Sequence, residues 1–160
     1  MQQRMRIIAA IVLIVFVAGI VIVIDLVQRR QNTTPEPGSL PVIVDNKVQG
    51  YILPSQLASL DTFGFVDAEE GKQQEGWLLR DVLDLVINVN RLDPQSAITV
   101  SSSSRGKSVD VTWSEALDTE NMVMFDLSNR GTLKLVSAKL ANLDTRDEWV
   151  QDVDKIEVQR

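Results

Sequence analysis

Gly76-Trp77-Leu78-Leu79-Arg80-Asp81-Val82-Leu83-Asp84-Leu85-Val86-Ile87 carries the strongest amphipathic pattern in the polar part of the chain. Leu78, Leu79, Val82, Leu83, Leu85 and Val86 recur at helical spacing, whereas Arg80, Asp81 and Asp84 fall on the other side. The pattern predicts a helix that starts at Gly76 and ends around Asn88 to Asn90. Nearly every segment around it reads as a short strand, and a sheet needs a cover for its apolar face. The expected fold class is therefore α+β: a mixed, largely β domain with short covering helices.

On the N-terminal side of this stretch, Leu40-Pro41-Val42-Ile43-Val44 reads as a strand, Asp45-Asn46-Lys47 as a turn and 48–52 as the partner strand. Pro54 and Ser55 open a brief helical turn over 56–60. A strand is expected over 62–66, and the charged run 68–74 reads as a loop or strand edge. On the C-terminal side, 97–102 and 108–112 alternate as a hairpin about Ser104-Arg105-Gly106-Lys107. Thr112-Trp113-Ser114-Glu115 has the form of a capping box, which predicts a short helix through Leu117. Segments 122–127 and 132–136 form another strand pair around Ser128-Asn129-Arg130-Gly131. The run 149–158 carries Val150, Val153, Ile156 and Val158, and its last three residues alternate as a strand.

The start of the chain is of another kind. Ile7-Val27 is apolar except for Gly19 and Asp25. At ~1.5 Å per residue such a run spans ~31 Å, matching a hydrocarbon core of ~30 Å. No small-residue cleavage motif follows it, so it reads as an uncleaved transmembrane anchor rather than a signal peptide. Asp25 lies close enough to the end of the run to reach the interface. Arg4 and Arg6 precede the span and Arg29 and Arg30 follow it, so the charge rule is nearly balanced. The short basic start favours a cytoplasmic N-terminus and an extracytoplasmic domain. The organisation expected is an anchor over 1–30, a polar Pro- and Gly-containing linker over 31–39 and a domain over 40–160, placed at the cell membrane as a single-pass protein.

Charge and composition narrow the chemistry. A net charge of −6 argues against nucleic acid as a partner. The sequence contains no cysteine and no histidine, which removes disulfides, thiolate catalysis, the commonest metal ligand and the commonest general base.

Several polar groupings remain as candidates. In Ser101-Ser102-Ser103-Ser104-Arg105-Gly106-Lys107, the hydroxyls, backbone N–H groups and two cations suit an anion, and the same residues suit a plain hairpin turn. Asn129-Arg130-Gly131 poses the same choice. If the two turns point the same way, Arg105 and Arg130 share a ligand. Ser102, Ser103, Ser104, Arg105, Lys107 and Arg130 are therefore the candidate ligand- or anion-binding residues; no catalytic or metal residues are assigned. The acids Asp144, Asp147, Glu148, Asp152 and Asp154 read as a solvated loop, with calcium as the other option. Asp81 and Asp84 read as exposed charge. Trp77, Trp113 and Trp149 each lie at the edge of an element, where a tryptophan usually plugs a core and occasionally stacks on a ligand.

The order of these pieces, a glycine-led GWLLRDVLDLV, a hairpin, WSEALD, a hairpin closed by SNRGTLKLV and a terminal EWVQDVDKIEV, resembles the molybdopterin-binding domain of sulfite-oxidase-like oxidoreductases. The nearest likeness is to short, stand-alone bacterial versions with an N-terminal membrane or export segment. It covers roughly Pro41 to Val158. The resemblance implies that family's mixed, largely β fold and molybdopterin as the cofactor to consider. Family enzymes hold molybdenum through a cysteine thiolate, which this chain lacks. The functional expectation is a membrane-anchored, non-catalytic module that binds a small ligand or a protein partner. The alternatives are a molybdopterin-dependent oxidoreductase or its accessory subunit, and a structural subunit of a membrane complex.

Overall fold

The computed structural model describes Glu36–Arg160, Asn129 apart. The expected transmembrane run Ile7-Val27 and the start of the linker lie outside the described residues. Among those residues no helix is long and apolar enough to cross a membrane.

Among the described residues ten strands form two five-stranded sheets. The first sheet contains β1 (Leu40–Val44), β2 (Lys47–Ile52), β5 (Ala97–Ser102), β6 (Lys107–Thr112) and β10 (Lys155–Gln159), in the order β2-β1-β10-β5-β6. The second contains β3 (Phe63–Val66), β4 (Gln73–Leu78), β7 (Met124–Leu127), β8 (Leu133–Val136) and β9 (Val150–Gln151), in the order β3-β4-β7-β8-β9. Pairing is antiparallel throughout except between β1 and β10, which run parallel with Val42 opposite Ile156 and Val44 opposite Val158. Helices α1 (Pro54–Leu57), α2 (Leu79–Asp84) and α3 (Trp113–Leu117) are short, as is a 3₁₀ turn at Val89–Arg91. The architecture is mostly β with short helices.

Alternation explains the first sheet. Val42, Val44, Ile98, Val100, Val111, Ile156 and Val158 all point to one face and are buried. Their partners are Leu79, Val82 and Leu83 of α2, Trp113 and Ala116 of α3, and Phe125, Leu135 and Val150 from one face of the second sheet. Both sheets and both helices thus share one core. The opposite face of the second sheet carries a smaller cluster of Leu78, Met124, Val136 and Trp149, flanked by Phe63, Phe65 and Met122.

Two local signals act as expected. Asp45 and Asn46 both adopt positive φ, 48° and 64°, in the two-residue turn between β1 and β2, where a matching hairpin twist requires it. The Thr112 hydroxyl accepts from the Glu115 amide, and the Glu115 carboxylate accepts from the Thr112 amide at 2.7 Å, so the capping box starts α3.

The stretch from Gly76 differs from its pattern. Gly76, Trp77 and Leu78 belong to β4, paired with Asp126, Phe125 and Met124 of β7, and the helix is confined to Leu79–Asp84. Trp77 and Leu78 fall on opposite faces of a sheet instead of one face of a helix. Only Leu79, Val82 and Leu83 act as the helix's buried stripe. Strand pairing on both sides of β4 overrides the helical period, because each ladder bond satisfies backbone groups that a lone turn of helix would leave open. The run 68–74 likewise ends inside β4. Its start is a loop closed by Asp67, whose carboxylate accepts from the Glu70 amide at 2.6 Å and the Lys72 amide at 3.2 Å. The run 149–158 is two strands in different sheets, broken at Asp152, where φ is 55°.

Gly76 shows how closely β4 meets β7. A Cβ there would stand 1.8 Å from the Phe125 carbonyl oxygen, a backbone atom with no freedom to swing away. Gly76→Ala is expected to destabilise the domain by about 3 kcal/mol, at the upper end of overpacking costs. Urea unfolding measures this; an unchanged midpoint contradicts the strand assignment.

Candidate functional site

The break at Asp152 builds the site. Asp152, Val153 and Asp154 carry the chain from the second sheet to the first. The Val153 amide donates to the Leu133 carbonyl at 2.9 Å, and the Asp154 amide donates to the Ser101 carbonyl at 3.0 Å. Consecutive residues are thus tied to different sheets. The Asp154 carboxylate accepts from the Ser103 amide at 2.8 Å, which fastens the β5–β6 turn to the same crossing.

Asp152 is the hub. Its carboxylate accepts from the Thr132 hydroxyl at 2.6 Å, from Arg105 Nε at 2.7 Å and from Arg130 Nη2 at 3.2 Å. Since the Thr132 hydroxyl spends its proton on Asp152, the Ser128 hydroxyl, 2.7 Å away, donates to Thr132. The Thr132 hydrogen bond, followed by that from Arg105, holds the Asp152 carboxyl below the usual aspartate range. Aspartate tolerates the left-handed backbone at this position better than a branched residue would.

Beside the hub opens a cavity of about 550 Å³. Its apolar wall is Leu40, Leu57, Trp77, Leu127, Leu133 and Val153; its polar wall is Ser39, Ser104, Thr132, Asp152 and Asp154, with Pro37, Gly38, Pro54 and Gly131 at the margin. Two of these residues, Ser39 and Trp77, have side-chain polar atoms that are closed off from solvent and lack a hydrogen-bond partner among the described residues. Such a group costs roughly 1–3 kcal/mol when left unpaired.

The sequence-derived candidates separate here. Arg105 and Arg130 do converge, and what they share is the Asp152 carboxylate. Ser102 is buried, its hydroxyl 3.2 Å from that of Ser104. Ser103 engages Asp154 through its amide. Lys107 Nζ donates to the Asp147 carbonyl on a different surface. Of the six candidates only Ser104 lines the cavity. The acidic run is dispersed: Asp152 and Asp154 serve the crossing, and Glu148 accepts from the Thr145 hydroxyl at 2.9 Å. Among the described residues no group of three or more carboxylates is arranged to hold a metal ion. Trp113 and Trp149 are buried, whereas Trp77 is half-buried and forms cavity wall. Thr132, Leu133 and Val153 fall in strand segments of the sequence with nothing to mark them for a site. The one available hint was charge complementarity between two arginine-bearing turns and the acidic run.

No family model matches the chain, and no curated protein matches it.

The direction of the Asp152 shift fixes a pH dependence. A carboxyl depressed in the folded state stabilises the fold above its ordinary value of 3.8, and that contribution is lost as the pH falls through the lower folded value. Asp152→Asn is expected to lower the melting temperature at neutral pH, with the gap from the parent protein closing as the pH drops below 3.8. Asp67 and Glu70, depressed by the Glu70 amide and by Lys72 respectively, keep part of the acid sensitivity in both proteins. A gap that stays constant down to low pH contradicts the hub role. Thermal melts from neutral to acid pH decide it.

Proposed function

We propose that this chain is a membrane-tethered binding module. Ile7-Val27 anchors it as a single span, residues 31–39 hold the domain off the lipid, and the domain faces the extracytoplasmic side. The domain is built on the plan of sulfite-oxidase-like molybdopterin-binding domains and takes a small ligand in the cavity beside Asp152 without redox chemistry of its own. The observation that carries this reading is the cavity itself: an apolar wall with Trp77 as its largest ring, faced by hydroxyls and two carboxylates. Such a combination suits recognition of a compact molecule with an apolar body and polar, neutral or cationic substituents.

Molybdopterin is the cofactor that the family resemblance implies, and the residues here do not fit it. No cysteine exists to ligate molybdenum. Arg105 and Arg130 are committed to Asp152, and among the described residues no lysine or arginine lines the cavity to meet a pterin phosphate. No catalytic step through that group is derived.

The full chain, purified in detergent, is expected to contain no stoichiometric molybdenum and no bound pterin. Elemental analysis with pterin fluorescence reads this out, and a stoichiometric molybdenum centre reverses the proposal in favour of an oxidoreductase. Screening amine- and hydroxyl-bearing fragments by NMR is expected to shift the Trp77 indole together with the Ser104 and Thr132 amides. Trp77→Ala removes those shifts. Fragments that bind only elsewhere, or bind the variant equally well, refute the cavity as the ligand site.

A further inference from the structure

Strand alternation places Leu133 on the cavity side of β8 and Lys134 on the other face of the second sheet. There a separate hollow of about 230 Å³ opens. Its walls are Ser128, Arg130, Lys134, Arg146, Trp149 and Gln151, with Leu127 at the edge. Three cations line it, and no carboxylate among the described residues does. In a chain of net charge −6 a wall with three cations stands out.

Each cation has a counter-ion that lies outside the hollow. Lys134 Nζ is 2.9 Å from Asp126, Arg130 pairs with Asp152 at 3.2 Å, and Arg146 pairs with Glu70; none of these three acids is part of its wall. The pairs hold the side chains in position without filling the space between them. Trp149 adds a second constraint. Lys134 Nζ lies 4.8 Å and the Arg146 guanidinium 5.6 Å from its ring centre, so both cations rest on one aromatic platform. Trp149 is buried, and Lys134 also donates to the Gln74 amide oxygen at 2.7 Å. Lys134 is therefore fixed, and little rotamer entropy remains to be lost when a ligand arrives.

We propose that this hollow binds a small doubly charged oxyanion, a phosphate group being the chemical class that fits. Two guanidinium groups offer paired N–H donors to tetrahedral oxygens, and the lysine supplies a point charge. Gln151 adds a neutral amide, while the Ser128 hydroxyl is committed to Thr132 and only closes the wall. Lys134, Trp149 and Gln151 lie on the opposite face of the sheet from the cavity beside Asp152, and the Arg130–Asp152 pair, with Leu127 at the margin of both, links the two spaces.

Inorganic phosphate titrated into the full chain, at ionic strength held constant with chloride, tests the proposal by NMR. The expected result is saturable movement of the Trp149 indole resonance, with a dissociation constant in the millimolar range or tighter. Arg130→Gln and Arg146→Gln are each expected to weaken binding about tenfold, and the double variant to abolish it. Arg146→Lys, which keeps the charge, retains part of the affinity. Both arginine side chains are substantially exposed, 60% and 40%; for Arg146→Gln an amide spectrum unchanged away from the hollow is expected to confirm the fold, and for Arg130→Gln, which also loses its pair with Asp152, retained dispersion with changes confined to the hollow and the Asp152 crossing does so. Shifts that rise linearly without saturating, or a dissociation constant unaltered in the double variant, overturn the assignment. A free phosphate and a phosphate on a larger solute share this chemistry. Methyl phosphate binding as tightly as inorganic phosphate points to an esterified ligand, and a strong preference for the inorganic ion points to free phosphate; either is consistent with the proposed site.

Discussion

The Asp152 carboxylate is the point at which the two sheets are tied together. Its acceptor oxygens collect a hydroxyl from the β7–β8 turn and guanidinium groups from both hairpins. The backbone on either side of it belongs to different sheets. A chain that leaves one sheet and enters the centre of another must turn sharply, and the turn here uses a left-handed residue with hydrogen bonds on both flanks. Everything that defines the cavity follows from that crossing. It brings Asp152 and Asp154 to the polar wall with Ser104, and Val153 to the apolar wall with Trp77 and Leu133.

The second sheet is used on both faces. One face joins the common core with Phe125, Leu135 and Val150, and the other carries Met124, Val136 and Trp149, flanked by Phe63, Phe65 and Met122. Burial makes polar groups on this face costly unless they are paired. Gln74, Asp126 and Lys134 are enclosed, yet they satisfy one another: Lys134 reaches both, and Gln74 donates onward to Asp67 at 3.0 Å. The network gives the sheet an interior that is apolar at one end and ionic at the other. Lys134 and Arg146 stand at the ionic end, against Trp149.

Short-range patterns in the chain read well where the physics is local. The Asp45-Asn46 turn depends on two residues that tolerate positive φ. The Thr112–Glu115 box depends on two side chains reaching two adjacent amides. Strand alternation in Ala97–Ser102 and Lys107–Thr112 reports a face buried against a core whatever that core contains. The Gly76 stretch read less well. Its apolar spacing fits a helix, but Trp77 and Leu78 serve opposite faces of the sheet; the buried positions of β4 are Gln74, Gly76 and Leu78, two of them without an apolar side chain, so the strand's alternating burial left no hydrophobic alternation in the sequence.

The amino-acid order alone was therefore enough for a mostly β class, for most hairpins, for one capped helix and for the exclusion of thiolate and imidazole chemistry. It also contained both halves of the Arg105–Asp152–Arg130 arrangement, as two basic turns and a run of acids. Their union was beyond it. Arg105 and Asp152 are separated by 47 positions, and only the insertion of β10 between β1 and β5 brings them to hydrogen-bond distance. The same holds for Lys134, Arg146 and Trp149, which meet because one strand, one loop and one aromatic ring stack on a sheet face. A side chain's intrinsic chemistry travels with its letter. Its partners are chosen by how distant segments pack, and that choice is a property of the whole fold.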